Sequence, residues 1–219
     1  MTDEDPLAWQ TLDRRTSYTC EGFDVVTDTV RLPDGTETEY DHVTEGDSVV
    51  ILPFLAPDAP EVDAGPSDGP GEKPDASDGP GEEPDVSDGP GEDPDPTVVL
   101  VEEWRQAVDR VNRGLPAGGI EPGEGPAAAA RRELREETGH VAGELESLTV
   151  TEPANGLLDS AYHYFLARDC RPEAEQRLDR DESIRVTTAP LSAVRAAVAS
   201  GETRDGRSAL GVLYHQLHG

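Results

Sequence analysis

The sequence has almost no lysine. Lys73 is its single lysine among 18 basic residues, and these stand against 47 acidic residues for a net charge of −29. So acidic a surface repels phosphate backbones, and we expect no nucleic-acid partner. Abundant acid with little lysine is typical of proteins adapted to high intracellular salt, where a Debye length of about 3 Å at 1 M screens self-repulsion. The composition therefore predicts a cytosol of the haloarchaeal type.

Cysteine and long apolar runs are also scarce. Cys20 and Cys170 lie far apart without a C-x-x-C partner, so neither a zinc site nor a disulfide framework is indicated. No run approaches 18 apolar residues, and the N-terminus MTDEDPLAWQ is acidic where a signal peptide would be basic. These absences predict a cytoplasmic protein without a membrane partner. A chain of 219 residues can bury one good-sized core and a small appended domain.

A low-complexity repeat interrupts the chain. Three ten-residue copies, SDGPGEKPDA, SDGPGEEPDV and SDGPGEDPDP, run from Ser67 to Pro96. Proline, glycine and acid at this density, with almost no large apolar side chains, cannot repay the entropy of ordering. We therefore predict a disordered insertion at residues 56–96. We interpret it as a tolerated loop insertion, and a docking or spacing arm is the alternative.

The rest of the chain mixes strands and helices without strict βαβ alternation, which favours the α+β class. Residues 1–46 form a β-rich leader, with strands expected at 22–26 and 29–32 before a turn at 33–35. β-Branched runs flank the insertion and predict an enlarged hairpin. Strands are predicted at 48–52, 97–101, 147–151, 160–167 and 183–187, and helices at 191–200 and 208–217.

The segment GGIEPGEGPAAAARRELREETGH, residues 118–140, carries the most chemical information. A helix is predicted to begin at Pro126, since proline at the first helical position loses no needed N–H, and to end before Gly139. At 100° per residue, Glu133, Glu136 and Glu137 fall within an arc of about 100°. The predicted core-facing stripe lies opposite and consists of Ala127, Ala130, Leu134 and Thr138.

Crowded carboxylates repel one another unless a cation lies among them, and oxygen ligands suit hard ions such as Mg²⁺. The alternative is a solvated acidic face with Glu/Arg pairs at helical spacing. Eight positions match G-x5-E-x7-R-E-L-x-E-E-x-G, which by chance occurs on the order of 10⁻⁸ times per starting point at about one in ten per position. A metal site is therefore the better interpretation. The glycine backbone at Gly118 and Gly119 can also approach a phosphate closely.

These residues resemble the signature of the Nudix hydrolases, which hydrolyse a nucleoside diphosphate linked to another moiety. The resemblance implies an α/β/α sandwich with a mixed sheet over residues 47–217. It implies Mg²⁺, or Mn²⁺ as an alternative, bound by Glu133, Glu136, Glu137 and the backbone carbonyl of Ala117. It also implies that Glu124 and Arg132 form an orienting pair. His140 departs from the usual apolar residue, and we expect this to affect packing rather than chemistry.

The order of the flanking segments is similar to the ADP-ribose pyrophosphatase branch of that family. This implies a homodimer formed through the leader, and cleavage of ADP-ribose to AMP and ribose 5-phosphate. By the same resemblance, Arg105 meets the substrate along with Gly118 and Gly119. The catalytic residues are then expected among Glu133, Glu137 and Glu182.

Two departures leave the substrate and the general base open. Gly114 stands where many relatives carry glutamate, and Arg180 stands where some place a second loop glutamate. Asp179, Asp181, Glu182 or a glutamate of the helix must then act as base. The alternatives in function are a Nudix hydrolase of another nucleotide sugar, a dinucleotide or an oxidised nucleotide, and a non-catalytic sensor that binds ADP-ribose.

The composition generates a prediction about salt. We expect folding to require molar KCl, because the excess negative charge repels itself when it is unscreened. Circular dichroism and activity measured from 0.1 to 3 M KCl would test this. Full native ellipticity and turnover in low-salt buffer would contradict it.

Overall fold

The computed structural model describes residues 5–62, 95–180 and 182–218. Within these ranges no helix is both long and apolar enough to cross a bilayer. The strands are β1 Gln10–Thr19, β2 Phe23–Arg31, β3 Glu37–Glu45, β4 Ser48–Leu55, β5 Thr97–Arg105, β6 Arg110–Gly114, β7 Ala117–Gly119, β8 His140–Val141, β9 Glu144–Thr151, β10 Tyr162–Pro172 and β11 Ile184–Pro190. The helices are α1 Pro126–Thr138, α2 Leu191–Ser200 and α3 Gly206–His218, and a 3₁₀ turn spans Gln106–Val108.

The leader is a three-stranded antiparallel sheet in the order β1-β2-β3. The predicted turn is present, and Gly35 has a φ of 88° that favours glycine there. The two strands expected at 22–26 and 29–32 are instead one continuous strand, β2, because it pairs along its whole length with β3. Every residue of β1 is exposed, so the leader presents an uncovered strand.

The main sheet has eight strands and is mixed. Its central path runs β11-β5-β4-β10-β8, and β4 pairs in parallel with β10 and antiparallel with β5 and β7. Alternate residues of β4 point to opposite faces, so a central strand reads as one apolar run. Val50 and Leu52 pack in a core with α2 and α3, whereas Val49 and Ile51 pack in a second core with α1. Helices thus cover both faces, which confirms the α+β sandwich.

Helix α1 has the predicted bounds. Pro126 is its first residue, and Gly139 ends it in the left-handed conformation, with a φ of 71°. The predicted core stripe was wrong at Ala127, which is exposed, and Ala129 is buried instead. The buried arc is rotated toward the acidic face because strand β7 covers that side of the helix. Two of the glutamates therefore lie at the edge of the core rather than opposite it.

Most of the predicted insertion, residues 63–94, lies outside the described residues, but its two ends have defined contacts. The Val62 N–H donates to Thr188 Oγ1 at 3.1 Å, and the Thr188 N–H donates to the Val62 carbonyl at 3.1 Å. At the other end, the Asp95 carboxylate accepts a bond from Ser192 Oγ at 2.6 Å near the start of α2. Both ends are therefore fastened to the corner where β11 meets α2.

The core contact of α1 generates a stability prediction. Leu134 is fully buried, so Leu134→Ala should lower the free energy of unfolding by about 2–5 kcal/mol through lost burial and the cavity left behind. Denaturant unfolding in high salt would measure this. The matched control is Leu213→Ala in α3, where the leucine is half-exposed and the loss should not exceed about 1 kcal/mol. Equal losses in the two variants would contradict the packing described.

Candidate active site

The short strand β7 carries backbone across the acidic face of α1. It pairs with β4, which is fixed at the centre of the sheet. The Ala117 N–H donates to Glu137 Oε2 at 3.0 Å. At Gly118, a Cβ atom would overlap the Glu133 carboxylate, so only glycine permits this approach of backbone to side chain. Strand β7 and helix α1 thus enclose Glu133 and Glu137 between them.

Arg132 links the loop before α1 to the carboxylates of the helix. Its Nε and Nη2 donate to the two oxygens of Glu124 at 3.2 and 2.9 Å, the forked geometry of a strong arginine–carboxylate pair. Its Nη1 donates to Glu133 Oε1 at 2.7 Å and to Glu136 Oε2 at 3.2 Å. The neighbouring Glu124 carboxylate raises the pKa of Arg132, which stays charged. The predicted orienting pair therefore has the contacts that such a role requires.

Two of the three helix carboxylates are buried. Burial raises the pKa of Glu137 to about 8, the negative charge of Glu133 adds to the shift, and the Ala117 N–H opposes it. Burial also raises the pKa of Glu133, although its bond to Arg132 works against this. Glu136 is partly exposed. The site therefore holds more negative charge than its low-dielectric surroundings favour.

Strand β5 contributes a further carboxylate that sequence reasoning missed. Glu103 is buried, and its charge contributes to the raised pKa of Glu137. Its carboxylate forms an ion pair with Arg105, with 2.6 Å between Nη2 and Oε2. The signal was present in the sequence, because Val99, Val101 and Glu103 alternate on one face of the strand and a charged residue at the inward end of such a row is unusual.

The segment after β10 is tied to the end of α1, and we call residues 173–180 the strap. The Ala174 N–H donates to the Gly139 carbonyl at 3.0 Å and the Arg177 N–H to the Glu136 carbonyl at 2.8 Å. Gln176 Nε2 donates to the Glu137 carbonyl at 2.6 Å. These bonds satisfy carbonyls that a helix end leaves without partners. No sequence signal identified Gln176, since its role depends on the tertiary fold.

Glu182 follows the strap and enters the same electrostatic environment. Its charge raises the pKa of both Glu133 and Glu137. Its Oε2 accepts a bond from the Asp179 N–H at 3.0 Å. Of the other residues considered for the general base, Asp181 lies outside the described residues.

The structure brings most of the predicted site residues together, and it leaves others at the margin. The cluster formed by α1, β7 and the loop between them contains Ala117, Gly118, Glu124, Arg132, Glu133, Glu136 and Glu137. Gly119 contributes its carbonyl, which accepts a bond from Arg132 Nη2 at 2.8 Å. Arg105 pairs with Glu103 at the edge of the cluster. At Gly114 a Cβ atom would lie 2.5 Å from Ser208 Oγ and 3.1 Å from Asp205 Oδ2, so these side chains fill the space that a larger residue would need.

The donor set fits a divalent cation in charge but is not arranged as a finished site. Among the described residues, no three acidic, histidine or cysteine side chains converge closely enough to hold an ion as they stand. Arg132 contacts both Glu133 and Glu136, and the Ala117 amide holds Glu137. The raised pKa of each buried glutamate is nevertheless the response expected of carboxylates that lack enough positive charge. A hard cation with oxygen ligands would supply that charge.

Known proteins are similar to this chain in the region that contains the site. A model of the NUDIX domain matches residues 87–206. An ADP-ribose pyrophosphatase of Bacillus subtilis is 36% identical over 121 residues, which cover 55% of this chain and 65% of the relative. A GDP-mannose pyrophosphatase of Klebsiella pneumoniae is 32% identical over 130 residues, covering 56% and 66%. A methanol dehydrogenase activator of Bacillus methanolicus is 30% identical over 121 residues, covering 55% and 65%.

A solved structure matches over nearly the whole chain. The crystal structure of an ADP compounds hydrolase superposes with a TM-score of 0.72 and covers 98% of this chain and 96% of its own. Its sequence is 19% identical, so the likeness concerns the fold. The chain spans slightly less than two thirds of the length of these three curated relatives.

The raised pKa of Glu137 generates a prediction about pH. In the metal-free protein, its folded pKa of about 8 lies above the 4.5 of an exposed glutamate. The wild type therefore loses stability as pH rises from about 4.5 to 8, whereas glutamine stays neutral. Glu137→Gln should raise the free energy of unfolding at pH 8 and have little effect below pH 4.5. Denaturant unfolding with EDTA in high salt would measure the difference at each pH.

A second variant separates this effect from a simple loss of charge. Glu136→Gln also removes one carboxylate from α1, but that side chain is partly exposed and bonded to Arg132. Stabilisation at pH 8 should be confined to Glu137→Gln. An effect of Glu137→Gln on stability that does not change with pH would show that burial does not raise the pKa of Glu137.

Proposed function

The chain belongs to the Nudix family, and on this basis we propose that it is a metal-dependent hydrolase of a pyrophosphate bond in a nucleoside diphosphate compound. The observation that carries the proposal is the pair of buried carboxylates beneath β7, Glu133 against Gly118 and Glu137 against Ala117. Buried charges are expensive to maintain, and a purely structural helix would be more stable with apolar side chains there. The arrangement is consistent with a site that works when a cation is bound.

Mg²⁺ is the proposed ion, with Mn²⁺ as the alternative. Glu133, Glu136 and Glu137 would hold it, and the Ala117 carbonyl would complete its surroundings. When bound, the ion supplies positive charge that neutralises the pyrophosphate oxygens and so reduces their repulsion of a nucleophile. Arg132 remains bonded to Glu124, which keeps the loop and the helix in register.

The residues of the chain then provide positioning and a proton acceptor. Water attacks one phosphorus atom, the bridging phosphorus–oxygen bond breaks, and a carboxylate receives the proton of the water. We propose that this base is Glu137 or Glu182. Glu137 is one candidate because it is buried in the enclosed site beneath β7, where the Ala117 N–H holds its carboxylate. Glu182 is the alternative because it shares the same electrostatic environment and follows the strap.

ADP-ribose is the proposed substrate, and its products would be AMP and ribose 5-phosphate. The support is the similarity to an ADP-ribose pyrophosphatase, while the similarity to GDP-mannose pyrophosphatases makes a nucleotide sugar the second candidate. We propose that Arg105 contacts the substrate from the end of β5, with the backbone of Gly118 and Gly119 close to the phosphates. The Glu103–Arg105 ion pair fixes the direction of the guanidinium.

We also propose a cytoplasmic homodimer. The support is the leader, because the ten residues of β1 are all exposed and an uncovered strand is a ready surface for association. Apolar side chains on and beside this strand are also unusually exposed, namely Trp9, Leu12, Tyr18 and Phe23. Sedimentation in high salt would distinguish a dimer from a monomer.

A product analysis tests the activity. The protein would be incubated with Mg²⁺ in molar KCl and a panel containing ADP-ribose, GDP-mannose, a dinucleotide and an oxidised nucleoside triphosphate, and the products identified. Cleavage of ADP-ribose to AMP and ribose 5-phosphate is the expected outcome. Tight binding of ADP-ribose without hydrolysis would instead favour the non-catalytic sensor.

The Glu137 assignment gives a sharper prediction. Glu137→Gln should lower kcat by at least about 100-fold, the range expected for loss of a base or a metal ligand. Glu121→Gln is the matched control, since it changes an exposed glutamate of the loop before α1 and should leave kcat within about twofold. Wild-type turnover in Glu137→Gln would remove this residue from the site.

A further inference from the structure

The outer side of α1, away from the sheet, carries a concentration of positive charge. Arg131 and Arg135 are one helical turn apart, so both side chains emerge on the same face. The strap contributes Arg177, whose N–H is bonded to the Glu136 carbonyl at 2.8 Å. Together the helix and the strap enclose a hollow of about 320 Å³, which we call the arginine hollow.

Of the four arginines that line this hollow, three have no acidic ion-pair partner, as is also true of six arginines elsewhere in the described chain. Eight arginines of the described chain form ion pairs with acidic residues, but Arg131, Arg135 and Arg177 form none with any described residue. The hollow is also lined by Glu136 and Glu175, but the Glu136 carboxylate is bonded to Arg132. In a chain with 47 acidic residues, three guanidinium groups have gathered where one free carboxylate, that of Glu175, lies among them.

Helix stability does not account for this arrangement. A basic residue in the last turn of a helix interacts favourably with its dipole, which explains Arg135. The same argument does not explain Arg177, which belongs to the strap. Arg131 has a defined position of its own, since its Nη1 donates to the Ala142 carbonyl at 3.0 Å. Like charges that line one hollow repel one another, and an anion between them would relieve that repulsion.

We propose that the arginine hollow binds a phosphate group. Planar guanidinium groups donate paired hydrogen bonds to phosphate oxygens, and three of them around a hollow open to solvent match a dianion in charge and in donor number. The ligand is inorganic phosphate or the phosphate of a phosphate monoester, which present the same oxygens. A bound phosphate would bridge α1 to the strap and so hold the segment that leads to Glu182. This inference does not depend on the proposed hydrolysis.

Site-resolved NMR tests the proposal without metal or nucleotide. Potassium phosphate would be titrated from zero to 10 mM into ¹⁵N-labelled protein with EDTA, with KCl adjusted to keep ionic strength constant. Saturable amide shifts should cluster at residues 131–135, 141–142 and 175–177. A second titration with ribose 5-phosphate separates the two sources, because the tighter of the two ligands identifies which one the hollow favours.

Single charge removals locate the binding site. Arg135→Gln and Arg177→Gln should each weaken phosphate binding by about tenfold, which is the loss of one charge-assisted hydrogen-bonding group. Arg113→Gln on β6 is the matched control, because it removes an exposed arginine remote from α1 and should leave the affinity unchanged. Absence of saturable shifts in the hollow, or the same affinity in all three variants, would overturn the proposal.

Discussion

The rest of the site depends on the hydrogen bonds and ion pairs made by the Arg132 guanidinium. It contacts the carboxylates of Glu124, Glu133 and Glu136 and also the carbonyl of Gly119, so one cation joins the loop to the helix. Without it, the loop would have no charged attachment to α1. Glu133 and Glu137 would then lie together beneath β7 without a neighbouring positive charge from Arg132. The Gly118 backbone and Arg132 therefore act together: the glycine lets β7 cover the carboxylates closely, and the arginine offsets their repulsion.

The acidic residues of this chain fall into two groups, exposed and buried, whose charges are compensated in different ways. The net charge of −29 is spread over a surface where salt can screen it, and its effect on stability depends on ionic strength. Glu133 and Glu137 are buried, where dissolved salt screens charge much less, and their charge is balanced by Arg132 or relieved by a proton. Sequence composition cannot separate these two groups. Burial separates them: among the described residues, Glu133 and Glu137 are buried on α1, as are Glu103 on β5 and Asp28 in the leader.

Features set by neighbouring residues were predictable, and features set by distant ones were not. The bounds of α1 follow from Pro126 and Gly139, and the flanks of the insertion follow from β-branched runs, so both were correct. The buried arc of α1 was misplaced because the cover comes from β7, whose position depends on pairing with β4. Gln176 lies 39 residues from the carbonyl it caps, so no local pattern could reveal the contact. Glu103 is an intermediate case. The alternation along β5 predicts that its side chain points inward, but no residue near it in the sequence indicates that it lies beside Glu137.

The anchored ends of the insertion have a consequence for how this protein can change over time. Val62 and Asp95 attach to Thr188 and Ser192, four residues apart on one corner of the domain. The structure of the sheet therefore does not depend on the number of residues between the two anchors. Adding or removing a decapeptide copy would leave both anchors in place, and each doubling of loop length costs only about 0.6 kcal/mol in closure entropy. The corner of β11 and α2 thus separates the length of the insertion from the geometry of the domain.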